Sequence, residues 1–241
     1  MKVNSRASGF VEAENKGRYP YSHSLYLKGA GNMLIDTGAG LVLEELAAKT
    51  EQVVLSHYHR DHVTFNYLFS GASISIHRED APGVESLEGF LRLSGLGQVD
   101  IEAYWKMIRQ IDFSATKVDR YLFDGDYFDL GRLKVRVLHL PGHTPGHCGF
   151  LVEEFNLVYA SDIDLTAFGP WYGNSSSDHD QFRLSIRRLR DLKPELLVTG
   201  HNTLVAKKID QKLAAYEAVL DQRDEAILAV LKEKPATLEQ L

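Results

Sequence analysis

Ten consecutive residues, Val53-Val54-Leu55-Ser56-His57-Tyr58-His59-Arg60-Asp61-His62, carry the densest chemistry in this sequence. The first four are apolar or small and read as a short buried strand. The next six contain four metal-ligand types: His57, His59, Asp61 and His62. Imidazole nitrogens with a carboxylate oxygen form a borderline-soft donor set that suits zinc and accommodates iron or manganese. A strand running into a tight loop can aim His57 and His59 at one point and Asp61 and His62 at a neighbouring one. Three histidines and an aspartate within six residues, directly after an apolar strand, are poorly explained as a polar surface loop. Three more donors each follow a predicted strand: His143 after 133–140, Asp162 after 156–161 and His201 after 196–199. Loops beyond strand ends are where an α/β scaffold places active residues. Singly, His143 reads equally well as a loop histidine, and His201 as a strand-end histidine bonded to backbone.

Jointly, the order His-x-His-x-Asp-His, Gly-His-Thr-x-Gly-His, Ser-Asp and Gly-His resembles the metallo-β-lactamase fold superfamily along about residues 20–205. That resemblance implies an αββα sandwich. It implies that His57, His59 and His143 bind a first divalent ion, that Asp61, His62 and His201 bind a second, and that Asp162 bridges both. Asp36 resembles the motif aspartate that supports the ligand loop without touching metal. The implied enzyme is a dinuclear metal-dependent hydrolase with a glyoxalase II-like ligand set and two divalent ions, zinc first, with iron or manganese as alternatives. Its nucleophile would be a metal-bridging hydroxide, with Asp61 orienting it, and its substrate a small ester, thioester or lactone. Related activities share much of the motif. A mononuclear iron persulfide dioxygenase would use only His57, His143 and Asp162, and would leave Asp61, His62 and His201 without a purpose. A nucleic-acid-processing relative is the other alternative. True β-lactamases lack the carboxylate at the position of Asp162, and lactone hydrolases carry a tyrosine where this chain has Leu165. A non-enzymatic binding module would leave an intact site unused.

The rest of the chain must position these groups. Its 241 residues are 44% hydrophobic and 25% charged, which is ordinary for a globular protein. A net charge of −6 argues against a general nucleic-acid-binding surface. The single cysteine, Cys148, excludes an internal disulfide and reads as a small core residue. No apolar run reaches the roughly 18 residues of a membrane span. The start has no apolar signal-peptide core, so the expected location is cytoplasmic. The expected partner is a small-molecule substrate, with a homodimer left open.

Strands are expected at 24–27, 32–35, 72–77, 127–130, 133–138, 148–152, 156–160 and 196–199, and helices at 41–49, 178–192 and 207–234. Asp36-Thr37-Gly38-Ala39-Gly40 makes a tight strand-to-helix turn, and Asp178 suits an N-cap. Residues 81–122 read as a helical insertion with amphipathic stretches near 85–95 and 100–111, too short to bury a core of its own. Long insertions in compact domains are usually functional, and this one is expected to border the metal site and make its pocket partly apolar. The domain reading is a catalytic unit over 1–205 and a helical C-terminal extension over 206–241, whose last residues resemble the start of a winged-helix unit.

Overall fold

The computed structural model describes residues 9–96 and 113–237. The expected stretch at 100–111 falls wholly outside them. Two mixed sheets face each other. The first runs in chain order: β1 (Gly9–Val11), β2 (Ser24–Leu27), β3 (Met33–Ile35), β4 (Gln52–Val54), β5 (Ser73–His77) and β6 (Arg120–Leu122). Its first three strands pair antiparallel, and β3 through β6 pair parallel. The second sheet has the order β11 (Leu196–Val198), β10 (Leu157–Tyr159), β9 (Cys148–Val152), β8 (Lys134–His139), β7 (Tyr127–Asp129). There β10 and β11 are parallel and the other pairs antiparallel.

Side-chain alternation explains the layering. Successive strand residues point to opposite faces. Leu25, Leu27, Met33, Ile35 and Val54 therefore meet Val135, Val137, Phe150, Val152 and Tyr159 between the sheets. Their neighbours Tyr26, Leu34, Val53 and Leu55 face outward, beneath Phe90 and Leu91 of the helical segment. On the outer face of the second sheet, Leu138, Leu151 and Val158 pack against Phe182, Ile186 and Leu189 and against Leu213, Tyr216 and Leu220. The result is four layers, helix–sheet–sheet–helix. Because both faces of each sheet are covered, β3, β9 and β10 are buried along their whole length rather than alternately.

The helices are α1 (Glu44–Ala47), α2 (Arg60–Val63), α3 (Ala81–Glu85), α4 (Leu87–Ser94), α5 (His179–Leu192) and α6 (Ile209–Glu233). Two stretches differ from expectation. The helix foreseen at 41–49 is a 3₁₀ turn at Leu41–Leu43 followed by the single turn of α1, because most of this stretch stays exposed and packing fixes little of it. The segment 81–122 ends in a sheet strand, so α3 and α4 belong to the crossover between parallel β5 and β6. α6 matches the helix expected over 207–234, with Ile227–Glu233 as its last turns. Asp178 caps α5 as expected, accepting from the Gln181 N–H at 2.8 Å. No described helix is long and apolar enough to cross a membrane.

α6 is anchored to α5 by Glu217, a buried carboxylate that accepts from Arg187 Nε at 2.6 Å and Arg190 Nη1 at 3.0 Å. Its apolar stripe includes fully buried Leu213. If α6 folds with the sandwich, Leu213→Ala should lower global unfolding free energy by about 2–5 kcal/mol in a single urea transition. An early, separate transition of small amplitude would show that α6 folds independently.

Candidate metal centre

The strand ends of both sheets converge at one edge of the sandwich. His57 follows β4, His143 sits in the β8–β9 loop, Asp162 follows β10 and His201 follows β11. α2 holds Asp61 and His62 on a single turn, with His59 just before it. The seven residues singled out from sequence form two adjacent groups. One contains His57, His59, His143 and Asp162, and the other Asp61, His62 and His201. In the first group His143 Nε2 lies 3.3 Å from His57 Nε2, 2.9 Å from His59 Nδ1 and 3.1 Å from Asp162 Oδ2. In the second, His201 Nε2 lies 3.1 Å from Asp61 Oδ2, and His62 Nε2 lies 3.8 Å from the same oxygen. Asp162 joins the groups, since its other oxygen, Oδ1, is 2.9 Å from His62 Nε2 and 3.5 Å from His201 Nε2.

Each ring is held by the nitrogen that faces away from the cluster. His57 Nδ1 meets Ser56 Oγ at 2.9 Å, and His62 Nδ1 donates to Asp36 Oδ2 at 2.7 Å. His143 Nδ1 donates to the Trp171 carbonyl at 2.9 Å, and His201 Nδ1 to the Gly17 carbonyl at 2.7 Å. His59 turns Nε2 to the Asn174 carboxamide at 2.6 Å. The group on that side is Asn174 Nδ2, which also donates to Tyr58 OH at 2.7 Å. Anchoring one ring nitrogen fixes the tautomer and aims the other, as metal-binding histidines require.

Two observations show that the donor set fits cations. Nitrogen lone pairs about 3 Å apart repel unless positive charge lies among them. His62 Nε2 and Asp162 Oδ1 are also buried and, despite their 2.9 Å separation, lack hydrogen-bond partners among the described residues. Such orphaned atoms are costly. The titration of the second group tells the same story. Burial opposes a charge on His62, yet Asp162, Asp36 and Asp61 together push it up to about 10. Burial likewise opposes a charge on His201, but Asp162 and Asp61 push it to about 12. In the first group burial dominates, followed by the neighbouring His143, and His59 falls to about 3. Carboxylates on one side of the cluster call for positive charge, while burial keeps His57 and His59 neutral on the other.

Asp36 underlies the whole arrangement. Its Oδ1 accepts from Ser56 N at 2.7 Å, and its Oδ2 accepts from Ser56 Oγ, His62 Nδ1 and Tyr159 OH, each at 2.7 Å. It adopts a left-handed φ of 58°, which Asp tolerates better than most residues. The chain turns sharply here, and Gly38 passes so close to the Asp61 carbonyl and Ser22 Oγ that no side chain fits.

Three further residues support the centre: Asp80, which carried no sequence signal, His147, the second histidine of the Gly-His-Thr-x-Gly-His motif, and Tyr216. Asp80, fully buried, accepts from Thr144 Oγ1 and Gly146 N at 2.6 Å each and from Tyr58 N at 3.3 Å, which ties the His143 loop to the His57 loop. An aspartate after His77-Arg78-Glu79 looks like part of a charged surface run. His147 donates from Nδ1 to the Leu140 carbonyl and accepts the Asp162 N–H at Nε2. It therefore positions the Asp162 backbone. Tyr216 brings its hydroxyl to Asp162 O at 3.2 Å and Asp164 Oδ1 at 3.0 Å.

A cleft of about 910 Å³ opens over the centre, with His59, Asp61, His143, Asp162 and His201 on its floor. Phe90 and Leu96 from the helical segment and Phe168 and Trp171 from the 163–177 loop make its apolar wall. The expectation that the segment borders the site thus holds for its described residues. Arg223 of α6 donates to the Phe168 and Pro170 carbonyls at 2.6 and 2.5 Å and stacks over the Phe168 ring, fixing that loop. Tyr172 instead packs toward His179 and Arg223 and does not line the cleft.

Fold and centre together define the class. The sequence matches the Metallo-beta-lactamase superfamily over residues 18–201, and the chain belongs to that family. Among its relatives, a Drosophila melanogaster "Beta-lactamase-like protein 2 homolog" is 26% identical over 87% of this chain and 68% of its own length. The Haemophilus influenzae "Hydroxyacylglutathione hydrolase GloC" is 29% identical over 67% of this chain and 73% of its own length. The human "Acyl-coenzyme A thioesterase MBLAC2" is 24% identical over 55% and 54%. Among solved structures, the Thermus thermophilus metallo-beta-lactamase family protein TTHA1429 superposes with a TM-score of 0.72 at 24% identity, covering 93% of this chain and 83% of the other. TTHA1623, solved in a di-iron-bound form, gives 0.60 at 25% identity over 79% and 92%. These relationships, with the donor clusters, identify a metallo-hydrolase fold able to hold divalent metal.

Asp80 gives a pH test of the loop tie. Burial pushes its carboxyl from 3.8 up to about 6, against its three donors. A raised carboxyl pKa favours the folded state most below pH 3.8, and that advantage is lost as pH rises through about 6. The unfolding free energy of the wild type minus that of Asp80→Asn should therefore fall by roughly 1–3 kcal/mol between pH 4 and 6 and then level off. Urea titrations across that range measure it, and a flat difference would remove the assigned shift.

Proposed function

We propose that this chain is a dinuclear metal-dependent hydrolase acting on small acyl esters or thioesters. One observation carries the reading: two separate donor groups share Asp162, which offers Oδ2 to one and Oδ1 to the other. In this reading His57, His59 and His143 hold one ion, Asp61, His62 and His201 hold the other, and Asp162 contacts both. Zinc suits the mixed imidazole–carboxylate set, and the di-iron form of TTHA1623 supports two ions while keeping iron open. When bound, two such ions polarise a carbonyl oxygen and bring the pKa of water toward neutrality.

The chain's own residues supply the rest. Asp61 lies on the cleft floor, and its carboxylate is steadied by His201 at 3.1 Å. It can accept a proton from attacking water and return it to the departing alkoxide or thiolate as the C–O or C–S bond breaks. Phe90, Leu96, Phe168 and Trp171 offer an apolar wall that holds an acyl group and excludes bulk water. Arg18 and Arg60 also face the cleft, and Arg60 Nε is buried with no partner among the described residues. Guanidinium groups so placed favour a leaving group that carries carboxylate or phosphate. The relatives named for hydroxyacylglutathione and acyl-coenzyme A support thioesters of anionic thiols.

The first test combines metal analysis with an oxygen electrode. Protein purified without added metal should contain two ions per chain and hydrolyse glutathione or coenzyme A thioesters without oxygen uptake. One iron per chain with oxygen uptake on glutathione persulfide would replace the hydrolase by a dioxygenase. Asp162→Ala should lose most of the second ion. Asp61→Ala should lower kcat by about 10²–10⁴-fold while the first ion stays bound. Full turnover in that variant would remove Asp61 from the chemistry. Arg60→Ala should raise KM for anionic thioesters by about 5–20-fold with kcat nearly unchanged, and should leave neutral thioesters unaffected. An equal effect on both substrate types would refute charge recognition by Arg60.

A further inference from the structure

We infer that Arg223 of α6 is a positioning residue for His143, acting through the loop that forms the cleft's aromatic wall; this rests on the proposed assignment of His57, His59 and His143 to one ion. Two consecutive carbonyls carry the link. The Pro170 carbonyl accepts from Arg223 Nη1 at 2.5 Å, and the Trp171 carbonyl accepts from His143 Nδ1 at 2.9 Å. Nδ1 is the ring nitrogen that faces away from the donor cluster. Holding it therefore sets where Nε2 points.

Little else holds this stretch. Among the described residues, Pro170 through Gly173 make no main-chain hydrogen bond to other main chain. Phe168 is 64% exposed and Trp171 41%, so burial anchors their rings weakly. Arg223 takes over that task. A second N–H group, on Nη2, donates to the Phe168 carbonyl at 2.6 Å, and the guanidinium lies 4.8 Å from the centre of the Phe168 ring and 5.4 Å from that of Tyr172. The rigid fork of an arginine suits two carbonyls held at fixed spacing. Between those carbonyls Gly169 adopts a left-handed φ of 81° and lies so close to Val219 of α6 that a side chain would clash. The loop is thus laid against α6 at the point where Arg223 grips it.

The main chain at His143 is held separately. Ser177 Oγ donates to the His143 carbonyl at 2.8 Å, and the Asp178 N–H donates to the Gly142 carbonyl at 2.8 Å. Both groups stand at the start of α5, beyond the stretch that Arg223 grips. Losing the grip should therefore free the His143 ring while its backbone stays in place. The second donor group is anchored elsewhere, His62 by Asp36 and His201 by the Gly17 carbonyl. An effect carried by Arg223 should accordingly fall on one ion and spare the other.

The test compares the full-length wild type with Arg223→Ala and Arg223→Lys, each loaded with zinc. Competition with a chromophoric chelator should show Arg223→Ala releasing one ion about 10–100-fold more readily, with the other held as in the wild type. Arg223→Lys should fall between the two, because an ammonium can reach one carbonyl but lacks the fork that spans both. The proton NMR signal of His143 Nδ1–H, identified by its absence from His143→Gln, should be present in the wild type and lost to exchange with water in Arg223→Ala. That signal reports on the ring whether one ion or two are bound. A single ion in the wild type would thus refute the dinuclear reading, while the signal would still decide the role of Arg223. An unchanged signal in Arg223→Ala, or equal weakening of every bound ion, would overturn that role.

Discussion

The structure depends on one buried carboxylate. Asp36 lies between the sheets with no access to solvent, and its two oxygens take four hydrogen bonds, from Ser56 N and Oγ, His62 and Tyr159. A charge so placed is tolerable only when every lone pair is matched. Each donor belongs to a different part of the site: Ser56 heads the ligand loop, His62 is a candidate ligand, and Tyr159 ends β10 just before Asp162. Tyr159 also donates to the His23 carbonyl at 2.7 Å, and His23 Nδ1 accepts the Ala13 N–H, so the N-terminal strands are drawn into the same network. Satisfying Asp36 thus fixes where the ligand loop and the second sheet stand relative to each other.

Around that anchor the site has an unbalanced charge pattern. Asp61 and Asp162 face inward beside His62 and His201, and the elevated proton affinity of those two histidines measures how strongly the pocket calls for positive charge. Protons and divalent ions compete for the same place. The cost of assembling these groups is offset by the apolar contacts of the four-layer sandwich, in which the fully buried interior lies beneath and beside the site. Rigidity there lets a handful of loop side chains hold fixed positions.

The cleft draws on parts distant in sequence. α4 supplies one apolar wall, the 163–177 loop another, and α6 holds that loop through Arg223 and reaches the floor through Tyr216. The extension after the last strand is therefore in contact with the site as well as with α5. It completes the second layer of helices and helps set the shape of the cavity that any substrate must enter.

The sequence alone determined the donor set and the architecture. His57, His59, Asp61 and His62 are local to one loop, and their types and spacing are fixed by the chain itself. His143, Asp162 and His201 were legible because each follows an apolar strand, and strand ends gather at one edge of such a scaffold. Continuous apolar runs made most strands readable, whereas the three-residue β6, with Arg120 and Tyr121 exposed, carried no such signal. Tertiary structure decided what depends on partners far along the chain. Whether Asp80 is a surface charge or a buried tie depends on Thr144 and Gly146, more than sixty residues away. Whether Tyr216 is core or cleft depends on where α6 crosses Asp162 and Asp164. Whether His77 and His139 meet depends on how two sheets face each other. Such roles arise from hydrogen bonds and contacts closed over long loops, and no local pattern of residue types encodes them.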